Sequence, residues 1–185
     1  DRPFADYGDR LTSKAMDDRV GVAVLVEILR TMESSPNEVY FVFSTQEEVG
    51  LRGATTAAYA VDPDLGISVD VTGTGDTPKG SRMEVNLGKG PAIKVRDGGM
   101  ISDPRVVQWM VRSAEASGLP YQLEVLEGGT TDARAMQLTR AGVPAGCVSI
   151  PCRYIHSPSE MVDIHDVQNA VKLLVALISQ PVSLG

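Results

Sequence analysis

Two adjacent carboxylates, Glu47 and Glu48, end an apolar run and are well placed for chemistry. The run before them, residues 39–43, is β-branched and aromatic, which predicts a strand covered on both faces in an α/β sheet. Ligands of such sheets bind where the strands end at their carboxyl termini. Because neighbouring residues of an extended segment point in opposite directions, one glutamate could bind a metal ion while the other transfers a proton. The alternative is a solvated acidic pair opening the next helix, where acids complement the helix dipole.

Two aspartates are candidates for the same edge of the sheet. Asp17 directly precedes Asp18 and a helical apolar pattern, so one acid there could simply be the N-cap of that helix. Two in succession are more than a cap needs. Asp70 lies within an otherwise β-favouring run, where a charge is costly unless it is paired or coordinated. The alternative for Asp70 is an aspartate at a strand end that accepts hydrogen bonds from loop amides.

One imidazole completes the set of candidates. The chain has two histidines, and His156 follows the predicted strand 143–150, at the same sheet edge. An ordinary loop histidine is the alternative for it. His165 lies in the first turn of the last predicted helix, which indicates a structural role. Carboxylates with one imidazole are the ligands of hydrolytic zinc, cobalt or manganese sites, and a bridging aspartate suits a two-metal centre.

Composition narrows the possible partners and the compartment. The 185 residues are 43% hydrophobic, enough for one domain with a sizeable core, and we expect a single domain over residues 1–185. The formal charge of −7 argues against nucleic acid, which calls for a basic surface. No run of eighteen apolar residues and no signal peptide is apparent, which argues against a membrane partner. Cys147 and Cys152 lack zinc-knuckle spacing and indicate reduced, buried thiols in a cytoplasmic protein.

The remaining pattern alternates helices with strands and predicts an α/β fold with a mixed, mostly parallel sheet flanked by helices. Helices are expected from Asp17 to about Met32, at 51–60, from Pro104 until Gly118, at 133–140, and from about Asp163 to Gln180; strands are expected at 66–72, 83–85, 93–95, 121–126 and 143–150. A glycine loop at 128–132 opens one of these helices. By itself, such a loop is weak evidence for a ligand.

Five short motifs together resemble the M42 family of dinuclear metalloaminopeptidases, whose catalytic domain has a zinc-peptidase-like fold. They lie, in the family's order, at residues 14–19, 44–50, 68–70, 128–132 and 153–158. Each motif alone is weak, but the ordered combination is specific and extends over essentially the whole chain. The implied reaction is removal of the N-terminal residue of a peptide.

The resemblance implies a role for each candidate residue. Asp17 would bridge two divalent metal ions, zinc or cobalt. Glu48 and His156 would complete one metal site with Asp17, and Asp70 would bind the other metal. Glu47 would be the general base that takes a proton from water and delivers it to the leaving amine. The peptide between Asp17 and its successor is expected to be cis.

Parts of the family pattern do not occur in these residues. Family members have a further metal-binding histidine upstream and an inserted dimerisation domain before the segment that starts here. We therefore expect the chain to be the C-terminal part of a catalytic domain, to hold at most one metal ion tightly, and to have weak or absent peptidase activity. A strand edge left uncovered would favour a homo-oligomer, and relatives form dodecamers. His165 is the residue that could replace the absent ligand.

Two other functions remain open at this point. Two carboxylates can split a glycosidic bond, and relatives of the family have carried glucanase labels. Glu47 and Glu48 are poorly placed for that chemistry, since its carboxyl groups must face each other across a sugar, and sensitivity to chelators would discriminate. The third possibility is a catalytically weak fragment or assembly module, which metal stoichiometry would identify.

Overall fold

The computed structural model describes residues 4–80 and 82–184, and the described chain forms a seven-stranded mixed sheet with five helices. The strands are β1 (Ala5–Asp6), β2 (Arg10–Ser13), β3 (Gly66–Thr72), β4 (Ala92–Arg96), β5 (Gln122–Val125), β6 (Ala145–Arg153) and β7 (Glu160–Asp163). The helices are α1 (Met16–Thr31), α2 (Arg52–Val61), α3 (Pro104–Ala116), α4 (Asp132–Gln137) and α5 (Ile164–Ile178).

Strand β6 is the centre of the sheet. It pairs in parallel with β3, and on its other edge it pairs antiparallel with β4 and then, near its end, with β7. β4 pairs in parallel with β5, while β7 continues through β2 to β1 in antiparallel pairs. The sheet is mixed, as predicted, but the expectation that it is mostly parallel is wrong. Only two of the six strand pairs in the described chain are parallel, because the short strands β1, β2 and β7 add antiparallel pairs.

Helices cover both faces of β6, whose residues 145–152 are all buried. On one face, α1, α3 and α5 share a core with Val148 and Ile150; on the other, α4 contributes Ala133 to a smaller cluster with Cys147. This two-sided burial explains why β6 reads as an uninterrupted apolar run rather than an alternating one. Both cysteines, Cys147 and Cys152, are buried and free, as predicted.

Most predicted elements are confirmed with shifts of a few residues at their ends. β3 agrees residue for residue with the prediction, and α3 begins at Pro104 after the N-cap Asp103, whose side chain accepts from the Arg105 amide. β1, β2 and β7 are only two to four residues long and were not predicted from the sequence. None of the described helices is long and apolar enough to cross a membrane.

The prediction of a strand at residues 39–43 is wrong, because these residues form no strand in the structure. The segment joins no strand ladder in the part of the chain that the structure describes, and there β3 pairs only with β6. Phe41 packs against the main core, whereas Tyr40, Val42 and Phe43 are 58%, 42% and 47% exposed. β-propensity alone cannot make a strand, because the backbone groups need a partner strand to pair with.

The short strand predicted at 83–85 is also absent, and this segment is loop. Two individual hydrogen bonds hold this part of the chain instead. The Gly75 amide donates to the Val85 carbonyl, and the Leu87 amide donates to the Asp76 carboxylate. A loop anchored in this way satisfies its buried amides without a ladder.

Candidate metal centre

Asp17 lies where the chain passes from β2 into α1. Its backbone is not helical, at φ −77° and ψ 106°, and the Asp17–Asp18 peptide is cis. The Asp17 amide donates to the carboxylate of Glu160 at 3.0 Å, while Asp18 accepts from the Gly21 amide at 3.1 Å. Asp18, whose backbone is also non-helical, therefore caps the regular part of α1 that follows it. This leaves the Asp17 carboxylate, with 12% of its side chain exposed, free to face the sheet edge.

Glu47 and Glu48 lie in the loop that leads into α2. The loop is wound tightly by backbone bonds, including those from the amides of Gly50 and Leu51 to the Glu47 carbonyl. Glu48 Oε2 lies 3.4 Å from His156 Nε2, and Glu47 lies close enough to Asp132, Asp17 and His156 for their charges to act on its carboxylate. Both glutamates thus belong to one group of charged side chains, and separate roles for them stay a prediction.

The glycine loop at 128–132 ends beside this glutamate loop. The Ser44 hydroxyl, three residues before Glu47, donates to the carboxylate of Asp132 at the start of α4. Gly53 in α2 donates its amide to the Thr45 carbonyl at 2.9 Å. Residues around Glu47 and Glu48 are therefore held from both α2 and α4, although the preceding segment has no strand partner.

Asp70 and His156 are supplied by the neighbouring parallel strands β3 and β6. Asp70 stands near the C-terminal end of β3, where its carboxylate accepts from the Val71 amide at 2.7 Å. His156 lies in the loop from β6 to β7 with a left-handed φ of 62°, and its amide donates to Glu160 at 2.8 Å. Because β3 and β6 run in parallel, both residues reach the same edge of the sheet.

Three of the predicted ligands converge. The His156 Nε2 atom lies 3.1 Å from Asp17 Oδ2 and 3.4 Å from Glu48 Oε2, and one donor atom from each residue lies within 4.8 Å of the others. Ligand atoms bound about 2.1 Å from a tetrahedral zinc ion are about 3.4 Å apart. The spacing and the chemistry of these donors fit a divalent cation, and the side chains of Glu48 and His156, 57% and 68% exposed, leave the position accessible from solvent.

The carboxylates around this position repel one another. Burial and the neighbouring charge of Glu48 raise the pKa of Asp17 to about 6. Burial and the charge of Asp132 raise the pKa of Glu47 to about 7, and burial and Glu47 raise that of Asp70 to about 8. A cation would offset this repulsion, since bound divalent ions are commonly the largest charges in such sites. The arrangement therefore favours metal binding over an unloaded acidic cluster.

Asp70 and His165 differ in their relation to this group. Asp70 lies outside the three converging residues, but it stands near the C-terminal end of β3, at the same edge of the sheet. His165 is 61% exposed and its Nε2 atom is 3.3 Å from Asp9, away from the candidate ligands. The structure thus offers no support for His165 as a replacement ligand.

Two acids at the site were not singled out from the sequence. Glu160 accepts hydrogen bonds from the backbones of two candidate ligands, and Asp132 contacts Ser44. Asp132 is the last residue of the motif at 128–132, and Glu160 lies just beyond the motif at 153–158. The sequence shows that both residues are acidic and that they lie in or beside the motifs, but their contacts join segments far apart in the chain.

Comparison with known proteins agrees with this geometry. A family model described as M42 glutamyl aminopeptidase matches residues 1–173, and the chain therefore belongs to this family of metal-dependent aminopeptidases. A putative aminopeptidase of Acetivibrio thermocellus is 52% identical over 171 residues, which are 92% of this chain and 52% of that protein.

Solved structures show the same fold. Aminopeptidase APDkam598 from the archaeon Desulfurococcus kamchatkensis superposes with a TM-score of 0.94 at 48% identity, over 97% of this chain and 52% of that one. The TET1 peptidase of Pyrococcus horikoshii, described as assembling into a tetrahedron or a large octahedral shell, has a TM-score of 0.85 at 32% identity, over 96% and 53%. The chain spans about half the length of the curated relatives it matches.

Proposed function

We propose that this chain carries the catalytic edge of an M42 aminopeptidase that removes the N-terminal residue of peptides. The observation that carries the proposal is the convergence of Asp17, Glu48 and His156 from three separate elements at the spacing of metal ligands. Family membership supports the reaction class. It also favours peptide hydrolysis over glycoside hydrolysis, for which Glu47 and Glu48 would have to face each other across a sugar.

The proposed roles follow the positions of the side chains. Asp17, Glu48 and His156 would hold one divalent ion, and Asp70 together with Asp17 would hold a second one more weakly. When bound, such an ion polarises the scissile carbonyl and makes water a stronger acid. We assign zinc or cobalt, because an imidazole with carboxylates suits either ion.

Glu47 transfers the proton in the proposed reaction. Its carboxylate accepts a proton as the oxygen of water attacks the scissile carbonyl carbon, and it returns the proton to the amine as the carbon–nitrogen bond breaks. Glu47 can take this role because it lies next to Glu48 but is not one of the three side chains whose donor atoms converge, so its carboxylate is left for proton transfer. The products are a free amino acid and a peptide shortened by one residue.

A substitution at Glu47 tests the assignment. We expect Glu47→Gln to keep the bound metal and to slow hydrolysis of an aminoacyl anilide by about 10²- to 10⁴-fold, the usual effect of losing a general base. Metal content is measured on the same samples by elemental analysis. Full activity in the variant would refute the role of Glu47, and an unmodified chain that binds no metal would refute the proposed site.

Association of several copies and a cytoplasmic location complete the proposal. The exposed side chains of Tyr40, Val42 and Phe43 form an apolar segment of the kind that recruits another chain. Sedimentation of the purified protein tests association, and a monomer at all concentrations would exclude it. The two free thiols, Cys147 and Cys152, suit the reducing cytoplasm.

A further inference from the structure

Glu160 connects two candidate metal ligands that are far apart in the sequence. It is the first residue of β7, its side chain is buried, and only 2% of the residue is exposed. Oε2 accepts from the Asp17 amide at 3.0 Å, and Oε1 accepts from the His156 amide at 2.8 Å. One carboxylate therefore holds the backbone of one residue from the start of α1 and of another from the β6–β7 loop.

Both amides lie in irregular backbone. Asp17 has non-helical dihedral angles at the beginning of α1, and His156 has a left-handed φ in its loop. Amides in such positions have no regular ladder or helix partner, so a side chain must accept their hydrogen bonds or a buried donor is left unpaired. Pairing of β2 with β7 places Ser13 opposite Glu160, which fixes the carboxylate beside the chain leading into Asp17.

We propose that Glu160 is a positioning residue of the metal centre, setting the separation of Asp17 from His156 through their backbones. This inference rests on the proposed function. The carboxylate does not supply a ligand atom in the converging group, which consists of Asp17, Glu48 and His156. Its effect on the metal is indirect: a ligand pair held at 3.1 Å before the ion arrives loses less freedom when the ion binds.

Replacement by glutamine disturbs this arrangement with little change in shape. A glutamine side chain has one acceptor oxygen and one donor NH₂ group, so it can accept from one amide but presents a donor to the other. Either Asp17 or His156 then loses its backbone anchor. Metal ligands that lose their supporting hydrogen bonds typically bind metal about 10- to 100-fold more weakly.

Asp166 provides a matched control in the same protein. It is 1% exposed, and its two carboxylate oxygens accept from the amides of Gly88 and Gly90, each at 2.7 Å. It lies in the first turn of α5, beyond the opposite end of β7 from Glu160. Asp166→Asn therefore imposes the same chemical change on a buried carboxylate that bridges two amides, but not on the ligands.

The test is direct titration of the chain with Co²⁺, followed by the visible absorption of the bound ion, for the unmodified protein, Glu160→Gln and Asp166→Asn. We expect Glu160→Gln to weaken Co²⁺ binding by about 10- to 100-fold and to alter the absorption bands. Asp166→Asn should change the affinity by less than about threefold, because distant sites act independently. Near-ultraviolet circular dichroism establishes that each variant is folded.

Three outcomes would overturn the inference. The positioning role of Glu160 would be refuted if Glu160→Gln and the unmodified chain had equal Co²⁺ affinity and spectra, or if both variants lost affinity equally. Either result would leave the proposed function standing. An unmodified chain that binds no Co²⁺ would refute both. If Glu160→Gln does not fold, the same criteria apply to Glu160→Asp, whose carboxylate is retracted by one methylene and cannot reach both amides.

Discussion

Asp17 is held in the candidate centre at two points, its side chain and its backbone. The carboxylate approaches His156 Nε2, while the backbone amide is bound by Glu160. Asp18 directs its own carboxylate to Gly21, where an added Cβ would come within 2.3 Å of that carboxylate. The adjacent aspartates therefore have different partners: Asp17 faces the candidate metal position, and Asp18 accepts from an amide in the first turn of α1.

Loss of a ligand should remove the stabilisation that metal provides. We expect Zn²⁺ to raise the melting temperature of the unmodified chain, since a ligand at 100 times its dissociation constant stabilises the native state by about 2.7 kcal/mol. Glu48→Ala and His156→Ala should each abolish most of that rise in differential scanning calorimetry. His165→Ala, which removes the other, exposed histidine, should retain it. Identical melting curves of the unmodified chain with and without chelator would contradict a metal role.

Asp76 should make stability depend on pH. Hydrogen bonds from Arg153 lower its pKa from 3.8 to about 2 in the folded chain. A carboxyl group with a depressed folded-state pKa stabilises the fold above its unfolded pKa, and this contribution is lost as pH falls through the folded value. The difference in urea midpoint between the unmodified chain and Asp76→Asn should therefore shrink as pH falls from about 5 to 2. A difference that stays constant over this range would show that Asp76 is not responsible.

At the scale of elements, the glutamate loop is held by helices rather than by a strand. Segment 39–43 has no ladder in the described chain, yet the following loop is tied to α2 by the Thr45 carbonyl and to α4 by Ser44. The Oδ2 atom of Asp132 accepts the hydrogen bond from the Ser44 hydroxyl, while its Oδ1 atom is buried without a hydrogen-bond partner among the described residues. The Ser44 hydroxyl is therefore a main polar support of this loop.

Ser44→Ala should loosen the loop. Removing the hydroxyl leaves a partly buried carboxylate of Asp132 without its donor, and such a loss typically costs about 1–3 kcal/mol of the free energy of unfolding. Ser44→Thr keeps the hydroxyl and is tolerated in extended backbone, so it should remain close to the unmodified chain. Urea unfolding and amide exchange at residues 45–51 measure the effect. Equal protection in Ser44→Ala and Ser44→Thr would show that the contact is not needed.

At the scale of the whole molecule, the described residues contain one group of converging candidate ligands, and Asp70 lies outside it. Asp17, Glu48 and His156 supply two carboxylates and an imidazole, whereas the position at Asp70 has the shared Asp17 as its other proposed ligand. Carboxylates without an imidazole bind transition metals less strongly. The two positions should therefore differ in affinity.

After dialysis against metal-free buffer, we expect at most one tightly held metal ion per chain. Elemental analysis together with the protein concentration gives the stoichiometry, and Asp70→Asn should leave that value unchanged. Peptidase activity should be weak in the same samples. Two retained ions per chain with vigorous turnover would show that a further residue completes the second position.

The sequence was sufficient for local structure and for the kinds of chemistry available. β3 could be delimited residue by residue because its β-favouring run is bounded by turn residues, and α3 because Asp103 and Pro104 mark a helix start. The candidate ligands were identified because each lies within or beside an apolar run that predicts a strand or a helix. Their individual roles came from the resemblance of ordered motifs, since a Glu-Glu pair has an ordinary solvated alternative.

Tertiary structure alone decided the contacts that join distant segments. Glu160 bonds Asp17 across 143 positions of the chain, a relation that no local pattern contains. Segment 39–43 has the composition of a buried strand, but a strand exists only where another strand pairs with its backbone, and the described chain provides none. Side-chain periodicity depends on neighbours a few residues away, whereas pairing and ligand convergence depend on how the whole chain packs.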